Sequence, residues 1–94
     1  MPVQIHIPSA LRAFTDKQPI VAVEGADVAA ALHALTALHP GLARHLRDEH
    51  GKLRSFVNVY LGEDDVRHLP QGDGTPLRDG DALTIVPSIA GGAR

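Results

Sequence analysis

The stretch that decides the fold is LTIVPSIAGGAR, residues 83–94. Its first four residues are apolar or β-branched, which is typical of a strand, and Pro87 ends that strand because proline has no amide N–H to donate. The residues beyond Pro87 are small, and Gly91 and Gly92 lack a Cβ atom, so this end of the chain is narrow. We predict a strand that leads into a thin tail suited to a slot in a partner enzyme; a flexible terminus without a function is the alternative.

Length and composition limit the classes of protein to consider. The chain has 94 residues, a formal net charge of −2 and no cysteine. One domain with one modest core is expected, and the negative charge argues against nucleic acid or an anionic membrane as a partner. The sequence has neither a membrane-spanning run nor a secretory leader, and the lack of cysteine excludes a disulfide framework and suits a reducing compartment. We predict a cytoplasmic protein without membrane partners.

Working outward from the tail, the first half of the chain predicts a hairpin followed by a helix. Apolar and polar residues alternate over 3–7, and a second apolar run covers 20–23, which indicates two strands joined as a hairpin. Asp27 is a suitable N-cap for a helix over 28–38, which His39-Pro40-Gly41 then ends. Residues 42–46 have the spacing of a short second helical turn.

The second half of the chain predicts strands separated by turns. Residues 55–61 are rich in β-branched and aromatic types and indicate a strand, 62–65 are turn material, and 66–69 indicate a short strand or sheet edge. The last strand covers 82–86. A single long helix between strands favours a parallel pair somewhere in the sheet, because such crossovers join parallel strands.

These elements together predict an α+β fold of the β-grasp, ubiquitin-like type. In it a mixed sheet of four or five strands packs on one main helix. The predicted domain covers residues 1–88, and residues 89–94 form a flexible C-terminal tail that carries the two glycines.

Three segments, taken in their order and spacing, carry a resemblance to a known family. They are RSFVNVY at 54–60, EDDVR at 63–67 and LRDGDALTIVPSIAGG at 77–92. The chain resembles the MoaD/ThiS family of small sulfur-carrier proteins over residues 2–92, and it is most similar to the CysO-type branch that serves cysteine biosynthesis.

The resemblance implies a carrier rather than an enzyme, with no catalytic residue, metal site or bound cofactor of its own. It implies that an ATP-dependent adenylating enzyme activates the carboxylate of Gly92, beside Gly91, and that a sulfur donor then replaces AMP to leave a thiocarboxylate. ATP and the sulfur donor are used by that partner. The acceptor of the sulfur stays open: a pyridoxal-phosphate cysteine synthase, the large subunit of a molybdopterin synthase, or thiamine synthesis. A function other than sulfur transfer is also an alternative, namely that of a ubiquitin-like protein modifier or interaction module.

The chain departs from the family pattern after Gly92, where Ala93 and Arg94 follow. While they remain, Gly92 carries an amide and has no carboxylate to adenylate. The resemblance implies that a zinc metalloprotease removes such extensions, so Ala93 and Arg94 are predicted processing residues; a vestigial end is the alternative.

Other side chains are candidates for contacts with a partner. We predict a docking patch near the tail formed by the apolar side chains of Phe56, Tyr60, Leu61 and Leu69. Three arginines, Arg54, Arg67 and Arg78, are candidates to steer an acidic partner surface, although a plain solvated face is the simpler interpretation for at least two of them.

The chain has six histidines, whose spacings do not fit paired metal ligands on a helix. We therefore expect them to be solvated surface residues.

Overall fold

The computed structural model describes residues 2–50, 53–54 and 57–87. Five strands and two α-helices are present in this part of the chain: β1 (Val3–His6), β2 (Ile20–Val23), α1 (Val28–Leu38), α2 (Ala43–Leu46), β3 (Val57–Leu61), β4 (Asp64–Asp65) and β5 (Ala82–Pro87). Short 3₁₀ helices occupy Ser9–Phe14, Pro40–Leu42, Val66–His68 and Gly72–Gly74.

The strands form one mixed sheet in the order β2-β1-β5-β3-β4. β1 pairs antiparallel with β2 and parallel with β5, and β5 pairs antiparallel with β3. The predicted hairpin, the predicted parallel pair and the predicted mixed sheet of four or five strands are therefore confirmed, and the sheet has five. The last strand of the chain lies in the middle of the sheet, between its first strand and β3.

The long helix has the limits that the sequence predicted. The Asp27 carboxylate accepts a hydrogen bond from the Ala30 amide at 2.8 Å, which satisfies one of the amides left free at a helix start. The helix ends at His39, whose amide donates to the Leu35 carbonyl at 2.9 Å, and Pro40 follows. Residues 42–46 are helical as expected, with Leu42 completing a 3₁₀ turn and 43–46 forming α2.

One core lies between α1 and the inner face of the sheet. Alternate residues of each main strand point inward, so Leu83 of β5 lies between Ile5 of β1 and Leu61 of β3. The helix contributes four buried side chains to the same cluster, namely those of Val28, Ala31, Leu32 and Leu35. Leu11 is buried and Phe14 is partly buried against this cluster, so the connection between β1 and β2 closes the core.

The connection between β1 and β2 turns through two residues with left-handed backbones. Asp16 and Lys17 have φ angles of 53° and 65°, a region that costs a non-glycine residue roughly 1–2 kcal/mol. The buried hydroxyl of Thr15 donates to the Gln18 carbonyl at 2.9 Å and helps to hold this turn. The turn therefore has a fixed shape despite its unfavourable angles.

The segment at 62–69 differs from the prediction. The turn is limited to Gly62 and Glu63, and the strand is Asp64–Asp65, not 66–69. Gly62 has a φ of +63°, which lets the chain reverse within two residues. The Asp65 carboxylate then accepts a hydrogen bond from the Arg67 amide at 2.9 Å, so Val66–His68 forms a 3₁₀ helix and buries Val66.

Gly25 lies closely against the start of the helix that follows it. A Cβ atom added at Gly25 would lie 2.6 Å from the backbone nitrogen of Ala31 and 2.8 Å from its Cα. These are backbone atoms, which cannot move aside as a flexible side chain can. A glycine is therefore required where β2 turns towards α1.

We predict that Gly25→Ala lowers the free energy of unfolding by roughly 1–3 kcal/mol, because the added methyl group overpacks against α1. Urea denaturation followed by circular dichroism measures this change. Gly74→Ala is the matched control, since a Cβ atom there meets nothing within 4 Å. Equal stability of the two variants would show that the close approach of Gly25 is not a constraint.

Candidate functional site

The candidate tail begins from a rigid base in the middle of the sheet. β5 buries Leu83 and Ile85, pairs with β1 as far as Thr84, and pairs with β3 up to its last residue, Pro87, which lies opposite Val57. Among the predicted site residues, Gly91, Gly92, Ala93 and Arg94 lie outside the described residues, as does the proposed boundary at 88–89. The chain therefore enters the tail from an anchored strand at one defined end of the sheet.

The outer face of the sheet, opposite α1, carries a row of uncharged or titratable side chains. Ile20, His6, Thr84 and Tyr60 are aligned partners across β2, β1, β5 and β3, and we call them the outer row. Ile20 is 44% exposed, and the other three are half-buried. Val86, one step nearer the tail, points to the same side and is 39% exposed. The outer row can therefore contact a protein surface that receives the tail.

Arg67 forms hydrogen bonds to β3 and to the segment before it, next to the end of β5, where the tail begins. Its Nη1 donates to the Oδ1 of Asn58 at 2.9 Å, and its Nη2 donates to the carbonyl of Arg54 at 2.6 Å. Asn58 is the partner of Val86 in the sheet, so these bonds lie next to the end of β5. The guanidinium group joins the 3₁₀ helix after β4 to the segment that leads into β3.

The predicted docking residues do not form one exposed patch. Tyr60 lies in the outer row, on the face opposite the core, whereas Leu61 and Leu69 are partly buried and pack against the core. Phe56 lies outside the described residues. Ile20 and Val86 are exposed apolar residues that the docking prediction did not include, although the period-two alternation of their strands would have placed them outward.

The three arginines proposed to steer a partner are also not one group. Arg67 and Arg54 are joined by a hydrogen bond near the end of β5. The amide of Arg78 is instead bonded to the Asp81 carboxylate at 2.8 Å, in the turn before β5 begins. Arg78 therefore lies at the other end of the strand.

His45 contradicts the expectation that all the histidines are solvated. Its ring stacks on Phe14 with 4.3 Å between ring centroids and an interplanar angle of 34°. Its Nε2 is buried and has no hydrogen-bond partner among the described residues. The stack joins α2 to the connection after β1, so this histidine supports the packing at the tail's end of the sheet.

Within residues 2–50, 53–54 and 57–87, no three histidine, aspartate or glutamate side chains come together in a group that could hold a metal ion. No helix in the same residues has both the length and the apolar character needed to cross a membrane.

Comparison with known proteins identifies the family. A model of the ThiS family matches residues 5–92. The chain belongs to the ThiS family. Sulfur carrier protein CysO of Mycobacterium tuberculosis is 39% identical over 94 residues, covering 98% of this chain and 100% of the relative. Small archaeal modifier protein 3 of Haloferax volcanii is 39% identical over 69 residues, 73% of each chain.

Solved structures confirm the β-grasp fold. The crystal structure of Mycobacterium tuberculosis CysO has a TM-score of 0.82 at 38% identity and covers 92% of this chain and 98% of that one. In the crystal structure of the Amycolatopsis orientalis BexX/CysO complex, the matching chain has a TM-score of 0.84 at 37% identity, with coverage of 95% and 98%. Members of this family are carrier proteins, not enzymes, and this chain is a carrier of the same family.

We predict that Tyr60→Ala weakens binding to a partner protein that receives the tail by about tenfold, because an aromatic contact in the outer row is lost. Isothermal titration calorimetry measures the affinity. His33→Ala is the control, since His33 is an exposed residue of α1, on the other side of the sheet. Unchanged affinity of Tyr60→Ala would remove the outer row from the docking surface.

The same variants should separate binding from folding. Leu32 is buried in the core, so Leu32→Ala should lower the free energy of unfolding by roughly 2–5 kcal/mol. Tyr60→Ala should change it by much less. Alanine variants of Leu61 and Leu69 are poor probes of binding, because both side chains contact the core.

Proposed function

We propose that this chain is a sulfur carrier of cysteine biosynthesis, and that its Gly92 carboxylate is adenylated and then converted to a thiocarboxylate. The observation that carries the proposal is the full-length similarity to sulfur carrier protein CysO, at 39% identity over 98% of this chain. The family match also ends at Gly92, the residue to which the proposal assigns the chemistry.

The proposed chemistry needs a leaving group, which the partner enzyme supplies from ATP. A free carboxylate is a poor electrophile; its attack on ATP gives the Gly92 acyl-adenylate and releases pyrophosphate. Sulfide then attacks the carbonyl carbon, a C–S bond forms, the C–O bond to AMP breaks, and AMP leaves with the electron pair. The chain has no cysteine, so no internal thiol can capture the activated acyl group.

The described structure supports a carrier that presents its tail and leaves catalysis to the partner. β5 pairs with β1 as far as Thr84 and with β3 as far as Pro87, so its end is held in the sheet by β3. A partner that binds the outer row therefore also fixes the position of Pro87, where the tail begins. Fewer arrangements of the tail then have to be sampled before the reacting atoms are aligned. The complex of a related CysO with BexX supports the idea that carriers of this branch work bound to another protein.

Removal of Ala93 and Arg94 is part of the proposal. The Gly92–Ala93 peptide bond leaves no carboxylate on Gly92, so hydrolysis of that bond must come before adenylation. We assign this step to a zinc metalloprotease. Arg94 is itself a poor substitute for Gly92, because its long, permanently charged side chain does not fit a slot shaped for glycine.

A pyridoxal-phosphate cysteine synthase is the sulfur acceptor that the similarity to CysO favours. A molybdopterin synthase large subunit or thiamine synthesis would use the same thiocarboxylate. Protein modification is a second candidate function, favoured by the 39% identity to small archaeal modifier protein 3. In that function the adenylated Gly92 would form an isopeptide bond with a lysine amine.

We predict that only a chain ending at Gly92 undergoes ATP–pyrophosphate exchange with the adenylating enzyme. Chains ending at Ala93 or Arg94 move the terminal carboxylate by one or two residues, up to roughly 7 Å, beyond the tolerance of a site that aligns reacting atoms. Exchange of labelled pyrophosphate into ATP measures activation, and mass spectrometry after addition of sulfide should show one oxygen replaced by sulfur.

Two outcomes of this comparison would count against the proposal. An unchanged mass of the Gly92 form, with an enzyme active on a related carrier, would reject thiocarboxylation. Equal exchange by the Arg94 form would show that the extension does not block activation. An isopeptide product formed in the absence of sulfide would instead support protein modification.

A further inference from the structure

The topology sorts the charged side chains of the described residues towards the two ends of the sheet. We call the end where β5 reaches Pro87 the tail end. Because β1 and β5 are parallel, the connection after β1 lies there too, and α1 runs from the opposite end to α2 beside it. The basic side chains from these connections are those of Arg12, Lys17, Arg44, Arg47 and Arg54, and the hydrogen bonds of Arg67 to Asn58 and Arg54 bring its guanidinium group to the same end.

Hydrogen bonds place several of these residues at the tail end. Arg12 donates through Nε to the carbonyl of Ile7, directly after β1, at 3.0 Å. Arg54 donates through Nε to the carbonyl of Arg44 at 2.7 Å, and its own carbonyl accepts from the amide of Val57, the partner of Pro87. Arg44, Arg47 and Arg54 also line a cavity of about 540 Å³, together with Asp48 and Glu49. Asp16 is a further acidic residue at this end, and the Asp65 carboxylate accepts a hydrogen bond from the Arg67 amide.

At the opposite end of the sheet, acidic side chains outnumber basic ones among the described residues. Its turns connect β2 to α1, β3 to β4, and the last loop to β5. Their acidic residues are Glu24, Asp27, Glu63, Asp64, Asp79 and Asp81, and Arg78 is the basic residue among them. The formal net charge of −2 therefore hides a positive tail end and a negative opposite end.

We propose that the tail end is an electrostatic docking surface for an acidic protein surface around the slot that receives Gly91 and Gly92. This inference rests on the proposed function, which requires a partner to take the tail. The basic side chains at the tail end are complementary in charge to an acidic partner surface. Because these side chains lie beside the start of the tail, the acidic surface should border the slot of the partner that takes the tail.

The separation of the two ends makes the charge difference effective in water. The strand rise from Leu83 to Pro87 is roughly 13 Å, whereas charges are screened over about 8 Å at physiological salt. A partner near the tail end therefore senses mainly the basic side chains there. An acidic partner surface attracts the tail end and repels the opposite end, so the carrier approaches with its tail end facing the partner. This orientation raises the rate of productive encounters.

The test compares two exposed arginines that undergo the same change of charge at opposite ends. Arg44→Glu should raise the KM of the Gly92 form with the adenylating enzyme by roughly threefold to tenfold at low salt, with kcat unchanged, since a rim charge acts on association. Arg78→Glu should leave KM unchanged or lower it. Lys17→Glu is a second, independent variant at the tail end, and melting temperatures identify any variant that has not folded.

Salt provides a further readout that a merely structural effect would not change. The wild-type KM should rise with salt, and the rise should be smaller for Arg44→Glu than for Arg78→Glu. Equal KM values and equal salt dependence for the two variants would overturn the docking surface. If the wild-type Gly92 form is not activated at all, the proposed function fails instead.

A hexaglutamate peptide gives a test that does not depend on the enzyme. Its titration should shift the amide resonances around Arg44 and Lys17 and leave those around Arg78 in place. Shifts at both ends, or none, would contradict the proposal. A short single-stranded oligonucleotide that binds the tail end more tightly than hexaglutamate at equal charge would replace the acidic protein with nucleic acid as the partner.

Discussion

The parallel pairing of β1 with β5 is the constraint on which the rest of the structure depends. It joins the first and last strands in the centre of the sheet, with Ile5 beside Leu83 and His6 beside Thr84. Two parallel strands cannot be joined by a tight turn, so the chain between them must cross the sheet, and α1 makes that crossing over the inner face. The helix then supplies the core, and the outer face remains for a partner.

The same pairing explains how a small domain can present a chain terminus with accuracy. A tail attached to an edge strand would move with the fraying of that edge, whereas β5 has β1 on one side as far as Thr84 and β3 on the other as far as Pro87, and it buries Leu83 and Ile85. Asn58, bonded to Arg67, holds the neighbouring position of β3 beside Val86. Rigidity up to Pro87 therefore needs no contact from the tail itself, and the tail can be as thin as the partner's slot requires.

Local patterns predicted most of this fold, and non-local contacts account for the errors. The alternation in the strands and the Asp27 cap of α1 are decided by neighbouring residues, so they could be read from the sequence. The prediction missed the short strand at 64–65 because that strand depends on the positive φ of Gly62 and on pairing with Tyr60 and Leu61. The burial of His45 against Phe14 joins residues far apart in sequence, as does the packing of Leu61 and Leu69 on the core. The tail residues were singled out from composition and family resemblance, and their roles stay predictions.

The total charge does not reveal how the charges are sorted in space. The acidic residues of the turns and the basic residues of the connections are interspersed along the sequence, and only the parallel arrangement separates them in space. Between the two charged ends, the outer row offers contacts without permanent charge. Desolvating these uncharged side chains costs less free energy than desolvating unpaired charges, while charges at the two ends act over distance. Contact on the face can thus provide affinity while the charged ends provide orientation, so a single small domain can bind a partner closely and still direct its tail into the slot.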